Sequence, residues 1–180
     1  MSRRPRPMDA FVDESARGSR YFMACVVIEA RHLSAARGAL TELVPPGKRV
    51  HFYEATEQAR TRALDVFLSL PVQVWMTVCA RSHGVTEFRA RNECLAELVR
   101  RLQADGVERL TIESRQFDQD DVRTIVRARS KQPSLTFDHV IGLREPLLWI
   151  ADGVGWAYGA GRRWQALVEP LIADVIEIRP

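Results

Sequence analysis

Residues 147–161, LLWIADGVGWAYGAG, read as a helix that is apolar on nearly every side. Such a helix has to be buried all round, so the chain must build a core thick enough to enclose it. Pro146 suits the first helical position, and the small residues suit close helix packing. The glycines only superficially suggest a dinucleotide-binding loop, because they lie inside a helix and follow no strand. Within this helix Asp152 has no polar face to share with Leu148, Ile150, Ala151, Val154 and Trp156. Burying a carboxylate without a partner is costly, so it needs either a salt bridge to an arginine or a place in a functional cluster.

The 180 residues contain no stretch that looks like a linker, which predicts a basic tail over residues 1–8 and one domain over 9–180. The hydrophobic fraction of 46% and charged fraction of 27% are those of an ordinary globular protein and exclude a disordered chain. No apolar run approaches the roughly 20 residues that span a bilayer, so no membrane partner is expected. MSRRPRP is followed by a charged segment and not by a signal-peptide core. Cys25, Cys79 and Cys94 form no CxxC or Cys/His spacing, so they read as reduced core thiols of a cytoplasmic protein. All basic residues except Lys48 and Lys131 are arginines, and the net charge of +3 permits a polyanionic partner without demanding one.

Along the chain, AFVDE (10–14) and YFMACVVIE (21–29) predict a hairpin. ARHLSAARGALTELV predicts a helix ended by PPG at 45–47, and KRVHFYE (48–54) a strand. A helical pattern then runs from Glu54 to about Leu70, ended by Pro71. VQVWMTVCA (72–80), VERLTIES (107–114) and LTFDHVIGL (135–143) predict strands. Between them lie a helix capped by Thr86 and stopped at Gly106, and a helix that acidic residues open and basic ones close. The tail closes with a short helix and VIEIRP. This order points to a mixed sheet covered by helices on both faces. EPLLWIAD and EPLIAD resemble each other, but their spacing is too short for a repeat architecture.

Asp13 and Glu14 end an apolar strand, and alternation puts them on opposite faces of the sheet. Asp9 shares a face with Asp13 but lies roughly 13 Å away, too far to bind one ion with it. Glu113 ends a strand that reads as an inner one, where open α/β sheets carry their sites. Glu54 follows the strand-like VHFY. Each of these also reads as a surface charge or a turn residue. Carboxylates brought together from several elements repel one another, and hard divalent cations such as Mg2+ or Mn2+ are the usual remedy. The four histidines form no metal-ligand spacing, and only His51, near Glu54, is placed near the site. A Ser15–His51 nucleophile lacks the glycines of a nucleophile elbow.

AFVDES followed by YFMACVVIE, then RVHFYEA and LLWIADGVGWAYG, resembles the DUF3800 family in order and spacing over most of the chain. The resemblance implies an α/β, RNase H-like fold with a mixed five-stranded sheet and helices on both faces. It implies Asp13 as the first-strand carboxylate and Asp152 as that of the C-terminal helix, with Glu54 and Glu113 filling the remaining places by order along the chain. Glu113 departs from the aspartate usual on the fourth strand, and its longer arm puts one metal position in doubt. The activity implied is hydrolysis of phosphodiester bonds in DNA or RNA, dependent on Mg2+ or Mn2+, with Arg115, Arg127 and Arg129 available to hold phosphates. The rival expectations are a catalytically inactive RNase H-like module that binds nucleic acid or protein in a mobile-element or defence system, and a phosphohydrolase acting on a small substrate.

Overall fold

The computed structural model describes residues 6–81 and 84–179. Part of the basic tail and His83 therefore lie outside the described residues. The strands are β1 (Met8–Arg17), β2 (Arg20–Glu29), β3 (Val72–Ala80), β4 (Arg109–Glu113), β5 (Thr136–Val140) and β6 (Ile172–Ile178). They form one mixed sheet in the order β5-β4-β1-β2-β3-β6. β1, β2 and β3 are antiparallel neighbours, whereas β4 runs parallel to β1, β5 to β4 and β6 to β3.

The sheet has six strands where five were expected. The additional strand is the tail, whose side chains alternate between half-buried and exposed as the edge of a sheet requires. β1 begins at Met8, inside the segment expected to be a tail. Residues 48–54 do not form the expected strand. Val50 and Phe52 are buried, and their alternation imitates a strand, but the amides of Glu54 and Ala55 turn back to the carbonyl of His51. The echo EPLIAD falls in a 3-10 turn and in β6, with no helical counterpart to 145–152.

The helices are α1 (Leu33–Thr41), α2 (Glu57–Ser69), α3 (Glu87–Ala104), α4 (Asp118–Ala128), α5 (Leu147–Gly159) and α6 (Arg162–Val168). Glu54 does not begin α2. Thr56 is the N-cap, its side chain accepting from the amide of Ala59. Thr86 caps α3 in the same way, as the sequence predicts, and Gly106 follows the helix at a φ of 74°. α3 and α4 cover the face carrying Val12, Met23 and Cys25, and α1, α2, α5 and α6 cover the face carrying Phe11, Ala24 and Val26. α5 lies across β1 and β2, enclosed as its composition requires. Its glycines allow a close approach: a Cβ at Gly153 would lie 2.5 Å from the Phe52 ring. Among the described residues no helix is long and apolar enough to cross a membrane. The three cysteines are buried and unpaired.

Candidate active site

Strand register places the first two carboxylates. β1 and β4 run parallel with Val12 beside Ile112, so Asp13 and Glu113, one residue further on, stand side by side on the α5 face. Both are nearly closed to solvent, at 4% and 8% exposure. Each is near enough to the other to shift its titration, Asp13 upward and Glu113 downward. Asp152, on α5, lies near enough for its charge and those of the other two to act on one another, although among the described residues the three carboxylates do not bring ligand atoms within 4.8 Å of one another.

Cations surround this group. Arg115 Nη2 donates to Asp13 Oδ1 at 2.8 Å and to Glu113 Oε2 at 3.1 Å, and Arg49 Nη1 donates to Glu113 Oε1 at 2.5 Å. No arginine pairs with Asp152 among the described residues. Its Oδ2 accepts instead from the amide of Phe52 at 2.9 Å. Burial, reinforced by the hydrogen bond and charge of Glu113, holds the Asp13 carboxyl well above the usual carboxylate range. Burial also pushes Glu113 upward, but hydrogen bonds from Asp13 and Arg49 and the charge of Arg115 outweigh it and leave Glu113 lowered. Asp152 is raised by burial, which the Phe52 amide opposes only in part.

Glu54 stands apart from the three. It is exposed on the wall of a cavity that Arg49 and His51 also line, and its side chain makes no ion pair among the described residues. The charges acting most strongly on Asp13, Glu113 and Asp152 are their own and those of Arg115, Arg49 and His51. Glu14 points to the opposite face, as alternation predicts, and accepts from Tyr21 and from Arg91 Nε at 2.6 Å.

Arg91 anchors a second network that sequence reasoning missed. It sits on the buried stripe of α3 with Cys94, Leu95 and Leu98, where an arginine without a carboxylate partner would be untenable. That misfit in an apolar stripe was the available signal. Its guanidinium grips both oxygens of the fully buried Asp121, the Nη2–Oδ2 bond being 2.9 Å, and His139 Nε2 stands 3.1 Å from the same Oδ2. Asp118, Asp121 and His139 bring potential ligand atoms within 4.8 Å of one another. Their oxygens are already engaged, since Asp118 accepts from Ser114 Oγ at 2.6 Å and from the Arg115 amide at 2.8 Å. The network thereby fixes the backbone of Arg115, whose side chain enters the Asp13 cluster.

Arg60 is a second omission. Its guanidinium lies 4.1 Å over the Trp156 ring and donates to the carbonyls of Phe52 and Tyr53, at 2.7 and 3.1 Å. It ties the 50–55 loop to α5, on which Asp152 sits one turn before Trp156.

Asp13, Glu113 and Asp152 together make an all-oxygen donor set, the kind that Mg2+ or Mn2+ takes. Arg115 and Arg49 already occupy oxygens of Asp13 and Glu113, so a divalent metal held by these residues would have to displace the guanidinium contacts and draw Asp152 closer.

No family model matches the chain, and no curated protein matches it. Among solved structures, ribonuclease H2 from Pyrococcus horikoshii OT3 superposes with a TM-score of 0.57 at 12% identity, covering 82% of this chain and 70% of that one. A Bst ribonuclease HIII solved in complex with Mn2+ aligns at a TM-score of 0.44 and 12% identity, over 86% of this chain and 55% of its own. The fold is therefore RNase H-like, as the sequence implied, with six strands in place of five.

Proposed function

We propose that the protein is a divalent-metal-dependent nuclease that hydrolyses phosphodiester bonds in DNA or RNA. Asp13, Glu113 and Asp152 form its centre, and Glu54 is the candidate for a fourth carboxylate from the adjoining cavity. The observation that carries this reading is the pairing of buried Asp13 and Glu113 on neighbouring strands of an RNase H-like sheet, with Asp152 of α5 close enough to act on them electrostatically. Carboxylates gathered in this way repel one another, and a divalent cation would offset that repulsion. Bound Mg2+ or Mn2+ would neutralise a scissile phosphate and lower the pKa of an attacking water. The chain's own residues hold and orient. The Phe52 amide fixes Asp152, β-strand register fixes Asp13 beside Glu113, and Arg115 at the rim is placed to meet a phosphate. The resemblance to the DUF3800 family supports the same reading.

A second reading is favoured by one specific observation: Arg115 and Arg49 already neutralise Asp13 and Glu113. In that case the protein is a catalytically inactive module that binds nucleic acid or a partner protein. Calorimetric titration with Mn2+ separates the two. The nuclease reading expects binding that Asp13→Asn and Asp152→Asn abolish, and the inactive reading expects none in the wild type.

A further inference from the structure

Beside the carboxylate centre lies an open cavity of about 530 Å³ between the 43–56 segment and the first turns of α2. That volume is within the range of sites for small organic ligands. Leu43, Val44 and Val50 give its wall an apolar side, Arg49 and Arg62 a cationic one, and the exposed Glu54 adds a single carboxylate. The N-terminal turn of α2 also borders it and adds the positive end of the helix dipole. His51 also lines the cavity.

The cavity and the centre share residues. Arg49 lines the cavity and binds Glu113 at 2.5 Å, and Phe52, the neighbour of His51, binds Asp152 through its amide. An occupant would therefore lie beside the residues that hold Glu113 and Asp152. A free inorganic anion would leave the apolar side unused, and a purely apolar ligand would leave two arginines facing it. A molecule with a flat apolar part and a phosphate satisfies both sides.

We propose that this cavity is a nucleotide subsite. Arg62 and Arg49 meet the phosphate, the Leu43–Val44–Val50 wall takes the base, and the nucleotide adjoins the bond presented to Asp13, Glu113 and Asp152. The placement of that bond rests on the nuclease reading, whereas nucleotide binding itself does not.

The test is calorimetric titration of the full chain with 5′-AMP and 5′-UMP, in EDTA so that no metal contributes. Adenosine and inorganic phosphate are titrated separately. Arg62→Glu reverses a charge and Ala59→Trp fills the cavity, both at exposed positions of α2, with circular dichroism checking the fold. The expected result is that the nucleotides bind at least about tenfold more tightly than either part alone, and that each variant weakens them about tenfold or more. Nucleotides binding no better than phosphate would overturn the proposal, as would binding that Arg62→Glu leaves unchanged. Nucleotide binding without metal-dependent cleavage of any strand would overturn the nuclease reading and leave the nucleotide site standing. Cleavage by a protein that binds no nucleotide would overturn the subsite alone.

Discussion

The carboxyl of Asp13 keeps a proton in the folded protein that the unfolded chain releases, because burial and Glu113 both disfavour its charge. In the window between the ordinary carboxylate range and this raised value, the native state binds more protons than the unfolded one, so stability falls as pH rises. Glu113, shifted downward, acts below that window, where its stabilising contribution is lost as pH falls. Denaturant unfolding in EDTA from about pH 5 to about pH 8 should therefore show wild type losing stability relative to Asp13→Asn. A parallel course for the two proteins would remove the strained carboxyl from the account. Arg115 compensates the pair, and Arg115→Gln should lower stability in EDTA by about 1 kcal/mol, modest because the side chain is partly exposed. With that competing cation gone, Mn2+ should raise the melting temperature of Arg115→Gln more than that of wild type. An equal rise would show that guanidinium and metal do not compete.

At the scale of elements, what the sequence revealed depended on whether the interaction was local. The apolar perimeter of α5 announced a buried helix, and strand alternation separated Asp13 from Glu14. The loop at 48–55 was misread because Val50 and Phe52 alternate as in a strand, while the event that shapes it, the Phe52 amide binding Asp152, joins residues far apart in sequence. The Arg91–Asp121 pair has the same character, since nothing near Arg91 in α3 names its partner on α4. Glu113 was visible as a strand end, but its neighbour Asp13 follows only from the β1–β4 register. Two substitutions test these elements. Gly153→Ala gains about 1 kcal/mol of helix propensity. It also drives a methyl group into the Phe52 and Phe67 rings, an overpacking cost of about 1–3 kcal/mol, so urea unfolding should show net destabilisation. Arg91→Met strands the buried Asp121 and Glu14 and should cost about 3–5 kcal/mol in the same measurement. A loss under about 1 kcal/mol would mean that the network is solvated and does not hold α3 against α4.

Over the whole molecule, a six-stranded RNase H-like sheet sets Asp13 beside Glu113, with Asp152 of α5 acting on both, near a cavity with cationic and apolar walls. The proposed metal-dependent cleavage of a nucleic acid would account for the first feature, and the proposed nucleotide subsite for the second. The most direct measurement is cleavage of end-labelled single- and double-stranded DNA and RNA in Mg2+ or Mn2+, comparing wild type with Asp13→Ala and Asp152→Ala. Wild type should cut at least one of these substrates only when metal is present, and each substitution should reduce the rate by more than about a hundredfold, as loss of a metal ligand does. Equal cleavage by all three proteins, or none by a wild type that binds the metal, would contradict it.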